Sequence, residues 1–273
     1  ILEYLFFYAV YMRNKIMKIV VFDLDETLGE FGELGMFCDV IEKYNKRKLT
    51  FNQFYKIMNL YPEFLRPNIL EILSYLKRKK QNGECNKVMI YTNNQGPIEW
   101  AQNIRKFLEK KINYKLFDQV IAAYKVNGRL VESNRTTHDK SVSDLLRCTN
   151  LPENAKICFL DDVYHEQMEH DNVYYINVQP YTHVLPYNIM AERYYNYYYN
   201  SRPLDLRFVK YIVTHMKKYN FTEKTKSLQE RNGDIKVSEE ILRHLHIFFN
   251  SDKHVKTRKS KNKHKINNRT LKN

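Results

Sequence analysis

The strongest constraint on this chain is the stretch Lys18-Ile19-Val20-Val21-Phe22-Asp23-Leu24-Asp25-Glu26-Thr27-Leu28-Gly29. Its first five residues, rich in β-branched and aromatic side chains, read as a strand buried on both faces. They run directly into two carboxylates spaced i, i+2, a costly place for charge. In open α/β sheets, ligands bind just beyond the carboxyl ends of the strands, which makes Asp23 and Asp25 candidates for chemistry. The bland alternative is a strand-to-turn junction in which an Asp only caps the next element. The remaining strand ends decide between the two.

After Gly29, the glycines Gly32 and Gly35 with Phe31, Met36 and Phe37 between them read as a loop or short hairpin beside the carboxylates. Val40 to Leu60 carries a polar–apolar pattern that predicts one or two short helices. Pro67 opens a helix in which Ile69, Leu70, Leu73 and Leu76 keep helical spacing, with Lys77 to Lys80 placing cations at its C-terminal end. Lys87 to Tyr91 is a second buried strand, followed by the small polar loop Thr92-Asn93-Asn94-Gln95-Gly96 and a helix opened by Pro97. Further strands are predicted at Gln119 to Ala123, Lys156 to Leu160 and Val173 to Val178, with a short helix around Tyr164 to Met168. Strands alternating with helices imply βαβ units and a parallel sheet with its reactive groups along one edge. On that edge the chain places Asp23, Thr92 and Asp161-Asp162.

Beyond Pro186 the pattern is helical without strands. Leu206, Val209, Val213 and Met216 are expected to share one face, and Ser238 with Glu239 and Glu240 reads as the cap of a last helix through Phe249. The cluster Tyr194 to Tyr199 is read as packing rather than as a base-stacking platform. The division expected is a peripheral extension at 1–16, a catalytic domain at 17–185, a helical extension at 186–250 and a basic, unstructured tail at 251–273.

Lys+Arg 45 against Asp+Glu 31 gives a formal charge of +14, which favours anionic partners. Much of the excess lies in the tail, where Lys253, Lys256, Arg258, Lys259, Lys261, Lys263, Lys265, Arg269 and Lys272 face no acid. This run suits nonspecific nucleic-acid contact or a nuclear-localisation patch, and more simply a solvated arm. Cys38, Cys85, Cys148 and Cys158 are far apart with no CxxC pairing, as expected of reduced thiols in an intracellular protein, cytoplasmic or nuclear. The apolar run Ile1 to Met12 is shorter than the roughly 20 residues a bilayer span needs, and its basic residues follow it rather than precede it, so no membrane partner is expected.

A phosphate monoester at that edge would find the groups it needs. Asp23, at the end of the strand itself, is placed to attack phosphorus and form an aspartyl-phosphate. Asp25 is placed to protonate the leaving oxygen and then to activate water. Two carboxylates and a dianion repel one another, so cations are required. Mg²⁺ suits oxygen ligands, with Asp23 and one of Asp161 or Asp162 supplying carboxylates. Lys140, following Asp139 as the expected N-cap of a helix with Val142, Leu145 and Leu146, supplies an ammonium. Thr92, expected at a helix N-terminus, offers a hydroxyl and backbone N–H groups to phosphate oxygens, with Asn93 beside it.

These residues resemble a known family. Asp23-Leu24-Asp25-Glu26-Thr27-Leu28 is similar to the first motif of the haloacid dehalogenase (HAD) superfamily, in the form found in C-terminal-domain phosphatases and their relatives. Thr92 after Val88-Met89-Ile90-Tyr91 resembles the second motif, Lys140 the third and Asp161-Asp162 the fourth. Leu65-Arg66-Pro67-Asn68 resembles an LRPG-like helix start of that subgroup, with Asn68 in place of the glycine. The resemblance covers residues 17 to 180. It implies an α/β fold with a Rossmann-like core, a parallel sheet flanked by helices, a small cap or none, and the helical extension behind it. It implies a Mg²⁺-dependent phosphatase with Asp23 as nucleophile and Asp25 as acid/base, and a metal held by Asp23, Asp161, Asp162 and the backbone carbonyl of Asp25. An open site points to a phosphoserine or phosphothreonine protein as substrate. The alternatives are a phosphatase of small molecules or of nucleic-acid ends, and a catalytically idle domain that keeps the fold to bind a partner. The oligomeric state is left open.

Overall fold

The computed structural model describes residues 16–200, 202–219 and 226–258, with side chains through Ser251. A five-stranded parallel sheet has the order β3-β2-β1-β6-β7, where β1 is Lys18–Phe22, β2 Lys87–Tyr91, β3 Gln119–Ile121, β6 Lys156–Asp161 and β7 Val173–Asn177. β1 is central: its neighbours are β2, with Ile19 opposite Lys87, and β6, with Phe22 opposite Leu160. A separate antiparallel hairpin joins β4 (Lys125–Val126) to β5 (Arg129–Leu130). Asn127 and Gly128 at its tip both have positive φ, 50° and 78°, the backbone of a tight primed turn for which Asn-Gly is the favoured pair.

The period-two alternation of the strands builds two unequal cores. Val20, Phe22, Val88, Ile90, Cys158 and Leu160 face a thick helical layer: α1 (Gly32–Asn45), α2 (Phe51–Leu60), α3 (Ile69–Gln81), α4 (Ile98–Ile112), α6 (Tyr187–Tyr199), α7 (Leu206–Met216) and α8 (Leu228–Arg258). Ile19, Val21, Met89, Tyr91, Ile157 and Phe159 face a thin one, made chiefly of α5 (Val142–Thr149). All four cysteines are buried and free. No helix among the described residues is long and apolar enough to cross a membrane.

The structure departs from the sequence expectations in several places. The glycine-containing stretch after Gly29 is helix α1, not a loop or hairpin. Glu30 supports its first turn by accepting the N–H groups of Gly32 and Glu33 at 3.0 and 3.2 Å. Gly35 is there for close approach, since a Cβ would lie 3.1 Å from the Trp100 ring. Asn68 sits before α3 with φ 58°, a left-handed backbone that Asn tolerates nearly as readily as Gly.

The C-terminal helices pack into the larger core: Tyr61 donates to Met190 O at 2.6 Å, and Lys18 Nζ to Phe248 O at 3.0 Å. Tyr194 and Tyr195 are buried against Phe208, consistent with a packing role. The buried stripe of α7 is Phe208, Ile212 and Met216, whereas Leu206 is 73% exposed. Ser238 does not start the last helix. It lies inside α8, buried, and its hydroxyl bonds back to Asp234 O. The helix begins at a capping box that Ser227 and Glu230 form, each accepting the other's backbone N–H. It continues through Arg258, past the expected boundary of the tail. Residues 1–15 and 259–273, which hold most of the expected extension and tail, lie outside the described residues.

Candidate active site

β1 carries Asp23 to the sheet edge, where its N–H is held by Leu160 O of β6 at 2.8 Å. The chain then turns through Glu26, at φ 56°, and back to Gly29. Arg66 fixes this turn from beneath. It is 1% exposed and donates to Thr27 O and Glu26 O, both at 2.6 Å, and to Gln179 O at 2.8 Å, tying the first site loop to the segment after β7. Burial of the guanidinium pulls its pKa down to about 10, although Asp234 and Asp162 oppose this.

Across the edge, Lys140 is almost fully buried and donates to Asp23 Oδ1 and to Asp161 Oδ2, the latter at 2.6 Å. Its position comes from Ser141, the true N-cap of α5, whose hydroxyl accepts the Asp144 N–H at 3.1 Å; Asp139 plays no capping part. Asp161 also accepts the Val163 N–H at 2.9 Å and lies 3.5 Å from His165 Nε2. Asp162 accepts from the Thr27 hydroxyl at 2.9 Å. Asp23, Asp161 and Asp162 each offer an oxygen within 4.8 Å of the others. The side chain of Asp25 is outside that trio.

Asp25 is held instead by Asn94, whose amide donates to Oδ2 at 2.7 Å, while Oδ1 is buried with no partner. Asn94 is itself locked, its N–H on Thr92 Oγ1 at 3.0 Å and its Oδ1 on the Gly96 N–H at 2.8 Å. Thr92 follows β2 in this loop rather than opening a helix, since α4 starts only at Ile98. Asn93 lines the same pocket, but its side-chain oxygen is taken by Arg135 at 2.8 Å. Arg135 is buried on the Tyr91 ring, 4.7 Å from its centroid, and also donates to Thr92 O and Ala122 O. Asp23, Asp25, Thr92, Asn93, Lys140, Asp161 and Asp162 therefore line one pocket of about 260 Å³, with Glu26, Asn94 and His165.

Charge in the pocket is poorly balanced. Burial pushes Asp23 well up, with Lys140 opposing and Asp161 adding to the rise. Burial also raises Asp25, which Asn94 counteracts in part, and raises Asp162. Asp161 is held below the usual carboxylate range: burial works against its ionisation, but the bond from His165 and the charge of Lys140 outweigh it. Two buried carboxylates share one ammonium, so only one of them is fully compensated. A trio of hard oxygen donors short of positive charge fits a small divalent cation, which Asp23, Asp161 and Asp162 would hold.

Sequence reasoning gave no site role to Asn94, Arg66, Arg135, His165 or Thr27. Thr27 and Arg66 lay inside the motif stretches and Asn94 in the loop after Thr92, but nothing local named their partners. Arg135 had no local signal, because its partners are backbone carbonyls brought together only by the fold. Compared with known proteins, the chain matches no family model, no curated protein and no solved structure.

Proposed function

We propose that the protein is a metal-dependent phosphohydrolase of the HAD type that works through an aspartyl-phosphate on Asp23. The observation that carries this reading is the division of labour between two carboxylates two residues apart. Asp23 joins Lys140 and the potential cation ligands Asp161 and Asp162, while the Asp25 side chain stays outside that trio, lines the same pocket and keeps one buried, unpartnered oxygen.

Asp23 Oδ2 has no hydrogen bond among the described residues and is the attacking oxygen. As its bond to phosphorus forms, the phosphorus–ester oxygen bond breaks, and the leaving oxygen takes a proton from Asp25. Burial favours the protonated form of Asp25 that this step needs. In the second step Asp25 takes a proton from water, the water oxygen bonds to phosphorus, and the Asp23–phosphorus bond breaks to release inorganic phosphate. A bound divalent cation, Mg²⁺ by the oxygen donor set, would neutralise charge on the phosphoryl oxygens. Lys140 holds Asp23 and Asp161 in place, Asn94 aims Asp25, and the Thr92 hydroxyl supplies phosphate contact.

The substrate class we favour is a phosphoserine or phosphothreonine protein, because the carboxylates sit at an open edge of the sheet. The idle-domain reading is disfavoured by the presence of Asp23, Asp25, Asp161 and Asp162 together. Hydrolysis of p-nitrophenyl phosphate with Mg²⁺ tests the reaction: wild type should release phosphate, and Asp23→Asn should be inert. Equal inertness of both across divalent metals and pH would refute it.

A further inference from the structure

Beside the carboxylate pocket lies a second recess of about 170 Å³, which shares Thr92 and Asn94 with it. Its walls are aliphatic: Ile98 and Ala101 from the start of α4, Ala122 and Ala123 after β3, and Val126 and Val131 from the β4–β5 hairpin. Ile98 and Val131 remain 40% and 44% exposed at its mouth, and Leu130 beside them is 55% exposed. The hairpin also carries Lys125 and the exposed Arg129.

We propose that this recess is a specificity subsite that takes one aliphatic side chain flanking the phosphorylated residue of an acidic phosphopeptide; the assignment rests on the phosphatase reading above. The recess is smaller than the roughly 300 Å³ at which drug-sized ligand sites begin, so it suits a single side chain. Its position places that side chain close to the phosphorylated residue. Asn94 touches Asp25 at one end and lines the recess at the other, so an ester seated on Asp23 and Asp25 has its immediate neighbours over the aliphatic walls. A nucleobase is the weaker fit: base recognition uses stacking on aromatic rings and edge hydrogen bonds, and no aromatic ring lines this recess. Charge selects among peptides, since the exposed Arg129 pairs with Val126 and so shares the hairpin face that lines the recess. On the far side of the carboxylates, Val163 and Tyr164 are also exposed, at 56% and 55%. An extended chain crossing the site therefore meets apolar surface on both sides of the phosphate.

The test uses acidic peptides with a phosphonate analogue of phosphoserine, in which a methylene replaces the bridging ester oxygen, bound to the full chain with Mg²⁺. Leucine and glycine are compared at each of the two positions on either side of the phosphorylated residue. Wild type should bind the leucine peptide about tenfold more tightly at one of these positions, as burial of most of a leucine side chain allows, and Ile98→Asp and Val131→Asp should each reduce that ratio below about threefold. The proposal is overturned if leucine gives no preference at any position, if the preference survives in both variants, if no peptide binds, or if a 5′-phosphorylated dinucleotide binds more tightly than the best peptide. Hydrolysis of the matching phosphoserine peptides is measured separately. Tight, leucine-dependent binding without phosphate release would sink the phosphatase reading while keeping the subsite.

Discussion

Among the described residues Lys140 is the only lysine bonded to the buried carboxylates of the site, and removing it gives a prediction that geometry alone fixes. Its Nζ is 2.6 Å from Asp161 Oδ2 and is bonded to Asp23 Oδ1, with all three side chains nearly out of water. At an effective dielectric of about 20, the Asp161 contact amounts to about 6 kcal/mol of attraction. Desolvation of the ammonium returns several kcal/mol of this, so Lys140→Met should destabilise the fold by about 4 kcal/mol, the usual cost of breaking a buried pair from one side. The cause would be two carboxylates left facing each other, and this gives the experiment its second half. Adding Asp161→Asn removes one of the two charges, so the double variant should be about 2 kcal/mol more stable than the sum of the single losses implies. Urea unfolding followed by far-ultraviolet circular dichroism, near neutral pH with a chelator present, measures all four corners of the cycle. A loss below about 1 kcal/mol for Lys140→Met, or additivity within about 0.5 kcal/mol, would refute the electrostatic account.

Mg²⁺ should stabilise wild type by about 2.7 kcal/mol at a hundredfold excess over its dissociation constant, and Asp162→Asn should lose most of that gain in a thermal melt. Asn94→Ala should keep the native dichroism and lower kcat about tenfold or more, because Asp25 would lose the amide that aims it. Glu30 offers a pH test. Burial raises its carboxyl from 4.5 to about 7 despite the backbone bonds from Glu33 and Gly32, so the folded state holds the proton more tightly than the unfolded chain. Its contribution is most favourable below the unfolded value and is lost as pH rises through the window from 4.5 to about 7. Glu30→Gln keeps the accepting oxygen and should gain up to about 3 kcal/mol on wild type across that window; parallel stability–pH curves for the two proteins would contradict this.

The sheet was legible because its strands are short, fully buried runs bounded by polar residues. The expected and observed limits of Lys87–Tyr91 coincide, and those of Lys156–Asp161 differ by a single residue. Charge ending such runs singled out Asp23 and Asp161-Asp162, since a carboxylate at the end of a buried strand is costly. What failed was local polar grammar read without its spatial partner. Gly32 and Gly35 signal a loop in one dimension, yet Gly35 is small because Trp100, from another helix, lies over it. Ser238 followed by two glutamates looks like a cap, whereas Ser227 with Glu230 supplies the reciprocal pair that makes one. Ser141, next to Lys140, was passed over for Asp139 for the same reason. Arg135 was beyond reach and Arg66, although inside the LRPG-like stretch, showed no role there, because their partners are backbone carbonyls from segments far apart in the chain.

The central position of β1 also governs how the protein comes into being. β1, the first strand among the described residues, is flanked by β2 and by β6, whose Lys156 lies opposite Lys18. During synthesis, one edge of β1 and the apolar residues Ile19 and Val21 stay uncovered until the chain has grown past Asp161. Parallel pairings across such separations close slowly, and the waiting edge is open to other chains. Asp23 is present from the outset but meets Lys140, Asp161 and Asp162 only when β6 docks. A truncated or half-folded copy thus holds Asp23 without these partners, and the acidic cluster exists only in chains whose sheet has closed.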